Sequence, residues 1–66
     1  MEKNIKFLAE ENGMKFYEYS FNGNRINIIQ DTNKEITFQG NVSIVNQFMV
    51  SEDYQLVCNY LNKSSL

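Results

Sequence analysis

The dipeptide Asn22-Gly23, with alternating apolar residues on both sides, constrains the fold of this chain more than any other feature. Asn-Gly is the preferred loop of a two-residue type I′ β-hairpin, because both loop positions need positive φ angles. This loop places Tyr19 opposite Ile26. A shift of one residue would mix the two faces of the sheet, which a sheet with one buried face resists. The sequence therefore predicts a hairpin of fixed register.

A third strand is expected after a short polar segment. Asp31-Thr32-Asn33 is interpreted as a three-residue loop, in which Asn33 tolerates left-handed dihedral angles. Such a loop would set Ile28 opposite Ile36. The prediction is a three-stranded antiparallel meander over residues 15–39, whose inner face carries the large apolar side chains Tyr17, Tyr19, Phe21, Ile26, Ile28, Ile36 and Phe38.

The segment before the hairpin is expected to be helical. Ile5, Leu8 and Ala9 follow the i, i+3, i+4 spacing of one helix face. Gly13 suits the left-handed position that commonly follows the end of a helix. These features predict a helix over residues 2–12.

Helical spacing returns after Gly40, where Val42, Val45 and Met49 follow a helical period. Ser51, followed by two acidic residues, is typical of a new helix N-cap. For residues 41–62 the sequence leaves open one helix, two helices, or a short strand followed by a helix.

The predicted fold class is therefore α+β. An N-terminal helix and the three-stranded meander are followed by one or two C-terminal helices packed on one sheet face, in a single domain over residues 1–66. A chain of this length builds one small core, so self-association into a dimer is a further expectation.

Cys58 is the single cysteine and cannot form an intramolecular disulfide, which favours a reducing compartment. The chain shows neither an apolar leader segment nor a run of the ~20 apolar residues that a membrane span needs. We therefore expect a cytoplasmic protein without a membrane partner. Residue usage rich in Asn, Ile, Lys and Tyr is typical of an AT-rich bacterial or phage genome.

The candidates for chemistry are few. The sequence has no histidine, which is the usual general acid or base near neutral pH. Cys58 has the helical spacing of a packing residue rather than of a nucleophile. Asp31, Asn33 and Glu35 alternate as calcium ligands do, but the glycine and the bidentate glutamate of a calcium loop are missing. The sequence thus predicts no enzyme, no cofactor and no metal.

Nucleic acid is an alternative partner, because alternating aromatic residues such as Tyr17, Tyr19 and Phe21 can stack bases on a sheet. A net charge of -2 and a sequence pI near 4.9 argue against it, since phosphate binding draws most of its affinity from basic residues. By elimination, the prediction is a small accessory or regulatory protein that binds another protein or a second copy of itself. A third alternative is an obligate homo-oligomeric structural subunit.

The predicted outer face of the sheet is polar except at two positions. Phe16 and Ile29 lie opposite each other in the predicted register, on the face that also carries Glu18 and Asn27. Apolar residues clustered on a polar face are typical of a contact site. Phe16 and Ile29 are therefore the predicted partner-binding residues, next to sheet edges expected at residues 15–21 and 35–39.

Overall fold

A computed structural model describes residues 4–64 of the chain. The strands form one antiparallel sheet in the order β1-β2-β3-β4, and two helices follow them. In chain order the elements are β1 (Ile5–Glu11), β2 (Met14–Phe21), β3 (Asn24–Gln30), β4 (Ile36–Gln39), α1 (Val42–Met49) and α2 (Glu52–Ser64).

The predicted N-terminal helix over residues 2–12 is wrong, because its described part forms strand β1; residues 2 and 3 lie outside the described residues. Asn12 and Gly13 have φ angles of 54° and 83°, which makes them the loop of a hairpin rather than the end of a helix. A β-bulge between Phe7 and Ala9 interrupts the two-residue period of β1. The extra residue gives the strand a spacing that imitates one face of a helix.

The three-stranded meander is likewise wrong, since the sheet has four strands. β1 pairs with β2 through the register Ile5 opposite Tyr19 and Phe7 opposite Tyr17. β2, which was predicted to be an edge strand, is therefore central. The edges of the sheet are β1 and β4.

The hairpin at residues 22–23 is confirmed, with Tyr19 opposite Ile26. The next loop differs from its prediction by two residues, because Ile28 pairs with Phe38 rather than with Ile36. The loop is closed by Asp31, whose Oδ1 accepts hydrogen bonds from the backbone N–H groups of residues 33 and 35 at 2.8 and 3.0 Å. A shift of two residues preserves the parity of the strand, so the inner and outer faces of the sheet keep their predicted members.

The C-terminal part of the described chain forms two separate helices. Asn41 caps α1 by accepting hydrogen bonds from the backbone N–H groups of Ser43 and Ile44 at 3.0 and 3.3 Å. The hydroxyl of Ser51 donates to the carbonyl oxygen of Phe48 at 2.6 Å, which closes the C-terminal end of α1. Of the three arrangements that the sequence left open, the structure has the two helices.

Both helices lie on the inner face of the sheet, and the core is formed between these two layers. Phe48 of α1 is at its centre, with ring centroids 5.1 to 6.0 Å from four other aromatic rings. The buried apolar residues are Ile5, Tyr17, Tyr19, Phe21, Ile26, Ile28, Phe48, Val57 and Leu61.

A polar contact ties α2 to the sheet. The hydroxyl of Tyr19 donates a hydrogen bond to Oδ2 of Asp53 at 2.8 Å. Burial, and then the hydrogen bond to Asp53, raise the pKa of Tyr19 to about 12. The hydroxyl is protonated at neutral pH, as in any tyrosine, and its hydrogen bond to Asp53 fixes the first turn of α2 against strand β2.

Candidate protein-binding face

The face of the sheet opposite the two helices is the candidate site, and we call it the helix-free face. Its side chains alternate with the buried ones along β2 and β3, so Ser20, Arg25 and Asn27 are exposed. Within residues 4–64 both helices lie on the opposite side of the sheet. The helix-free face is therefore open to a partner.

An apolar row crosses this face. Ala9 lies opposite Phe16, Phe16 opposite Ile29, and Ile29 opposite Thr37, so one row of side chains runs through all four strands. Phe16 and Ile29, in the middle of the row, are half-buried. The structure thus places the two sequence-predicted site residues side by side, as the register of the central hairpin requires.

Leu8 enlarges this apolar row. It is the extra residue of the β-bulge and is 47% exposed. Together with Phe16 and Ile29 it lines a cavity of about 240 Å³, whose polar wall is formed by Asn27 and Gln39. The result is an apolar depression with polar groups on one side.

Sequence reasoning missed Leu8, because it was assigned to one face of the incorrect N-terminal helix. The signal that was available is the second Asn-Gly pair at residues 12–13, which is as strong a hairpin marker as the pair at residues 22–23. Accepting it would have paired the segment before residue 12 with β2 and brought Leu8 to the sheet.

Polar side chains surround the apolar row. Glu18, in the next row across the sheet, lies opposite Lys6 on β1 and Asn27 on β3. Its carboxylate oxygen Oε1 lies 4.0 Å from Nε of Arg25 and forms an ion pair with it. The side chain of this arginine is largely exposed. Charges of both signs therefore lie beside the apolar centre, as in the rim of a protein interface.

One of the two predicted edges is confirmed, since residues 35–39 include the edge strand β4. Residues 15–21 form no edge, because β1 covers them. The β1 edge is interrupted by its bulge and carries the charges of Lys6, Glu10 and Glu11, while β4 has only four residues. Bulges, charges and short length all protect an edge against added strands. The helix-free face, rather than an edge, is thus the candidate surface for a partner.

The groups with possible chemistry are dispersed. Within residues 4–64, no group of three or more His, Cys, Asp or Glu residues is placed to hold a metal ion. Cys58 is half-buried on α2 and raises the pKa of the Tyr54 hydroxyl, first by charge interaction and then by a hydrogen bond. Oδ1 of Asp31 accepts hydrogen bonds from its own loop.

The aromatic side chains considered for base stacking belong to the core. Tyr17, Tyr19 and Phe21 all point to the inner face and are buried beneath the helices. Stacking requires an accessible ring face. These three rings offer none in this structure.

Comparison with protein-family models, with curated proteins and with solved structures finds no match for this chain. None of the described helices has the length and apolar character needed to cross a membrane. The function is therefore inferred from the geometry of this chain alone.

Proposed function

We propose that the protein acts by binding another protein through its helix-free face, as a small accessory or regulatory component without catalytic activity. The observation that supports this is the apolar row at the centre of that face, formed by Phe16 and Ile29 and extended by Leu8. The partner would cover this row, and the surrounding polar side chains would form the rim of the interface. The presence of a single cysteine, Cys58, supports a cytoplasmic location.

The physical argument rests on what an open sheet face normally carries. Antiparallel sheets with one solvated face show polar side chains on that face. Here most positions follow this rule, but Phe16 and Ile29 form a cross-strand apolar pair, and Leu8 adds an exposed apolar side chain beside them. A partner that removes these side chains from water gains roughly 25 cal/mol for each Å² of apolar surface that it covers. This gain gives the face its affinity for a protein.

The chemistry of the face fits a protein better than a nucleic acid. Around the apolar row the charges are mixed, with Glu18 beside Arg25 and opposite Lys6. Phosphate backbones are bound by clusters of basic residues, which this face does not contain within the described residues. The protein partner is either a different protein or a second copy of this chain, and the experiment below distinguishes the two.

Replacing Phe16 and Ile29 together by Ser is expected to weaken partner binding by at least roughly tenfold, because the apolar centre of the interface is lost. The replacement of Ser20 and Arg25 by Ala, a cross-strand pair on the same face that does not line the depression, serves as the matched control, and it should change binding by less than about threefold. Proteins are captured from host cells with the wild-type chain and with each variant, and the captured proteins are compared. Their affinities are then measured by calorimetry, and self-association is measured by light scattering.

Both variants must first be shown to be folded, by their circular dichroism and their thermal transitions. A folded Phe16→Ser, Ile29→Ser variant that retains the wild-type partners, affinities and molecular mass would show that the helix-free face is not the interface. If the variant has a lower molecular mass in solution than the wild-type chain, and the wild-type chain captures no other protein, the partner is a second copy of this chain.

A further inference from the structure

A second cavity lies at the end of the sheet where the loop after β1 approaches the loop after β3. It has a volume of about 280 Å³ and is separate from the apolar depression on the helix-free face. The two loops are in close contact, because a Cβ atom added at Gly13 would lie 2.5 Å from Cγ2 of Thr32. The cavity is lined by Gly13, Lys15, Gln30, Asp31, Thr32 and Lys34.

Gln30 is the exceptional residue of this cavity. It is the one polar residue among the buried positions of the described chain, with 3% of its surface exposed. Its Nε2 atom is buried and has no hydrogen-bond partner within residues 4–64. A buried donor without an acceptor costs about 1–3 kcal/mol, and nearly all buried polar groups in proteins are paired. Among residues 4–64 the side-chain amide of Gln30 therefore lacks an acceptor, which a bound ligand would supply.

The charges around the cavity define that acceptor. Lys15 is the cross-strand neighbour of Gln30 and lies on the same face of the sheet, while Lys34 belongs to the loop that follows. Among the described side chains, the ion pair that forms joins Arg25 and Glu18. Within this part of the chain the ammonium groups of Lys15 and Lys34 therefore have no carboxylate partner. Asp31 also lines the cavity, but its Oδ1 already accepts two hydrogen bonds from its own loop.

We propose that this cavity binds a small oxyanion, namely a phosphate or carboxylate group. A turn of the Gln30 amide towards the cavity would let Nε2, which is enclosed in this structure, donate a hydrogen bond to one oxygen. The ammonium groups of Lys15 and Lys34 would neutralise the charge of the anion. The lining carries two ammonium groups against the single carboxylate of Asp31, so its net charge is positive and favours an anion over a cation or a neutral ligand. Charge-assisted hydrogen bonds to an anion satisfy all three groups at once.

The absence of a side chain at Gly13 lets the two loops that line this cavity approach each other closely. Gly13 has a φ angle of 83°, which disfavours other residues, and any Cβ atom there would press against Thr32 at the cavity wall. The contact between the two loops thus holds the wall of the site, while Lys15 and Gln30 are positioned by the sheet itself.

The test is a titration of the ¹⁵N-labelled protein with inorganic phosphate and, separately, with acetate, at low ionic strength and constant pH. Saturable changes are expected in the side-chain amide signals of Gln30 and in the backbone signals of Gly13 and Thr32. Sodium chloride at equal ionic strength controls for screening. A response to both anions supports the shared oxyanion chemistry. A response to phosphate alone identifies a phosphate ligand, and a response to acetate alone identifies a carboxylate.

Three variants make the titration decisive. Gln30→Leu and the double variant Lys15→Met, Lys34→Met should each weaken binding by roughly tenfold. Lys6→Met, which removes a lysine from β1 outside this cavity, should leave the binding curve unchanged. The double lysine variant changes residues near the surface and keeps the test valid if Gln30→Leu fails to fold.

Changes that are linear, that chloride reproduces, or that persist equally in the variants would overturn the proposal and leave water as the acceptor for Gln30. The test is independent of the proposed function, because the variant Phe16→Ser, Ile29→Ser should still bind phosphate. Loss of partner binding with retained phosphate binding, or the reverse, therefore separates the two proposals.

Discussion

Replacement of Phe48 by Ala is expected to remove most of the protein's stability. The Phe48 ring is fully buried, and it packs against the aromatic rings of Tyr19, Phe21, Phe38 and Tyr54. Truncation of a buried Phe to Ala costs about 3–5 kcal/mol, because apolar contacts are lost and a cavity remains. A chain this small has a total stability of only about 5 kcal/mol.

Met49→Ala provides the matched control for this change. Met49 is the next residue of α1, but it is 45% exposed, so its truncation should change the free energy of unfolding by less than roughly 1 kcal/mol. Urea and thermal unfolding, followed by circular dichroism, measure both variants. Equal losses of stability in the two variants would mean that α1 faces the sheet with a different side from the one described.

Replacement of Gly13 by Ala is expected to destabilise the protein by about 2–4 kcal/mol, clearly more than the same change at Gly23. Both glycines have positive φ angles, 83° and 79°, so both replacements carry a similar backbone cost. The environments differ, since a Cβ atom at Gly13 would lie 2.5 Å from Cγ2 of Thr32, whereas one at Gly23 would meet no atom within 4 Å.

A double-mutant cycle isolates this contact. The variant Thr32→Ser removes the methyl group that meets the new Cβ atom, and in that background Gly13→Ala should cost about the same as Gly23→Ala. The free energies of unfolding are measured in urea. Equal destabilisation by Gly13→Ala and Gly23→Ala, with no coupling to Thr32, would mean that the Thr32 side chain is not held against Gly13.

The sequence was informative where local chemistry and the alternation of side chains agreed. At Asn22-Gly23 the loop residues and the apolar pattern on both sides specify one hairpin, and the structure has its register. At Asn12-Gly13 the same dipeptide follows a segment whose spacing fits a helix as well as a bulged strand. The choice is made by tertiary pairing with β2, which a local pattern does not contain.

The residues of the candidate site also differ in whether a local sequence pattern predicts their position. Phe16 and Ile29 could be paired in advance, because the parity of one hairpin places both on the same face. The Asn12-Gly13 pair could have brought Leu8 to the sheet, but its place on the helix-free face depends on the bulge in β1, which regular alternation does not predict. Gln30 was missed for a similar reason. Residues distant in sequence bury its side chain, and a glutamine at the end of a strand has no distinctive sequence signal of its own.

The most direct test of the proposed function is a measurement of side-chain accessibility on the helix-free face, with and without the partner. A soluble paramagnetic probe is added to the methyl-labelled protein, and relaxation is recorded for Leu8, Ile28 and Ile29. In the free chain the methyl groups of Leu8 and Ile29 should relax rapidly, whereas those of the fully buried Ile28 should not. A captured partner should then protect Leu8 and Ile29 from the probe. If the partner instead protects the exposed Val42 and Val50, and leaves Leu8 and Ile29 accessible, then the protein binds through its helices and the helix-free face is not its interface.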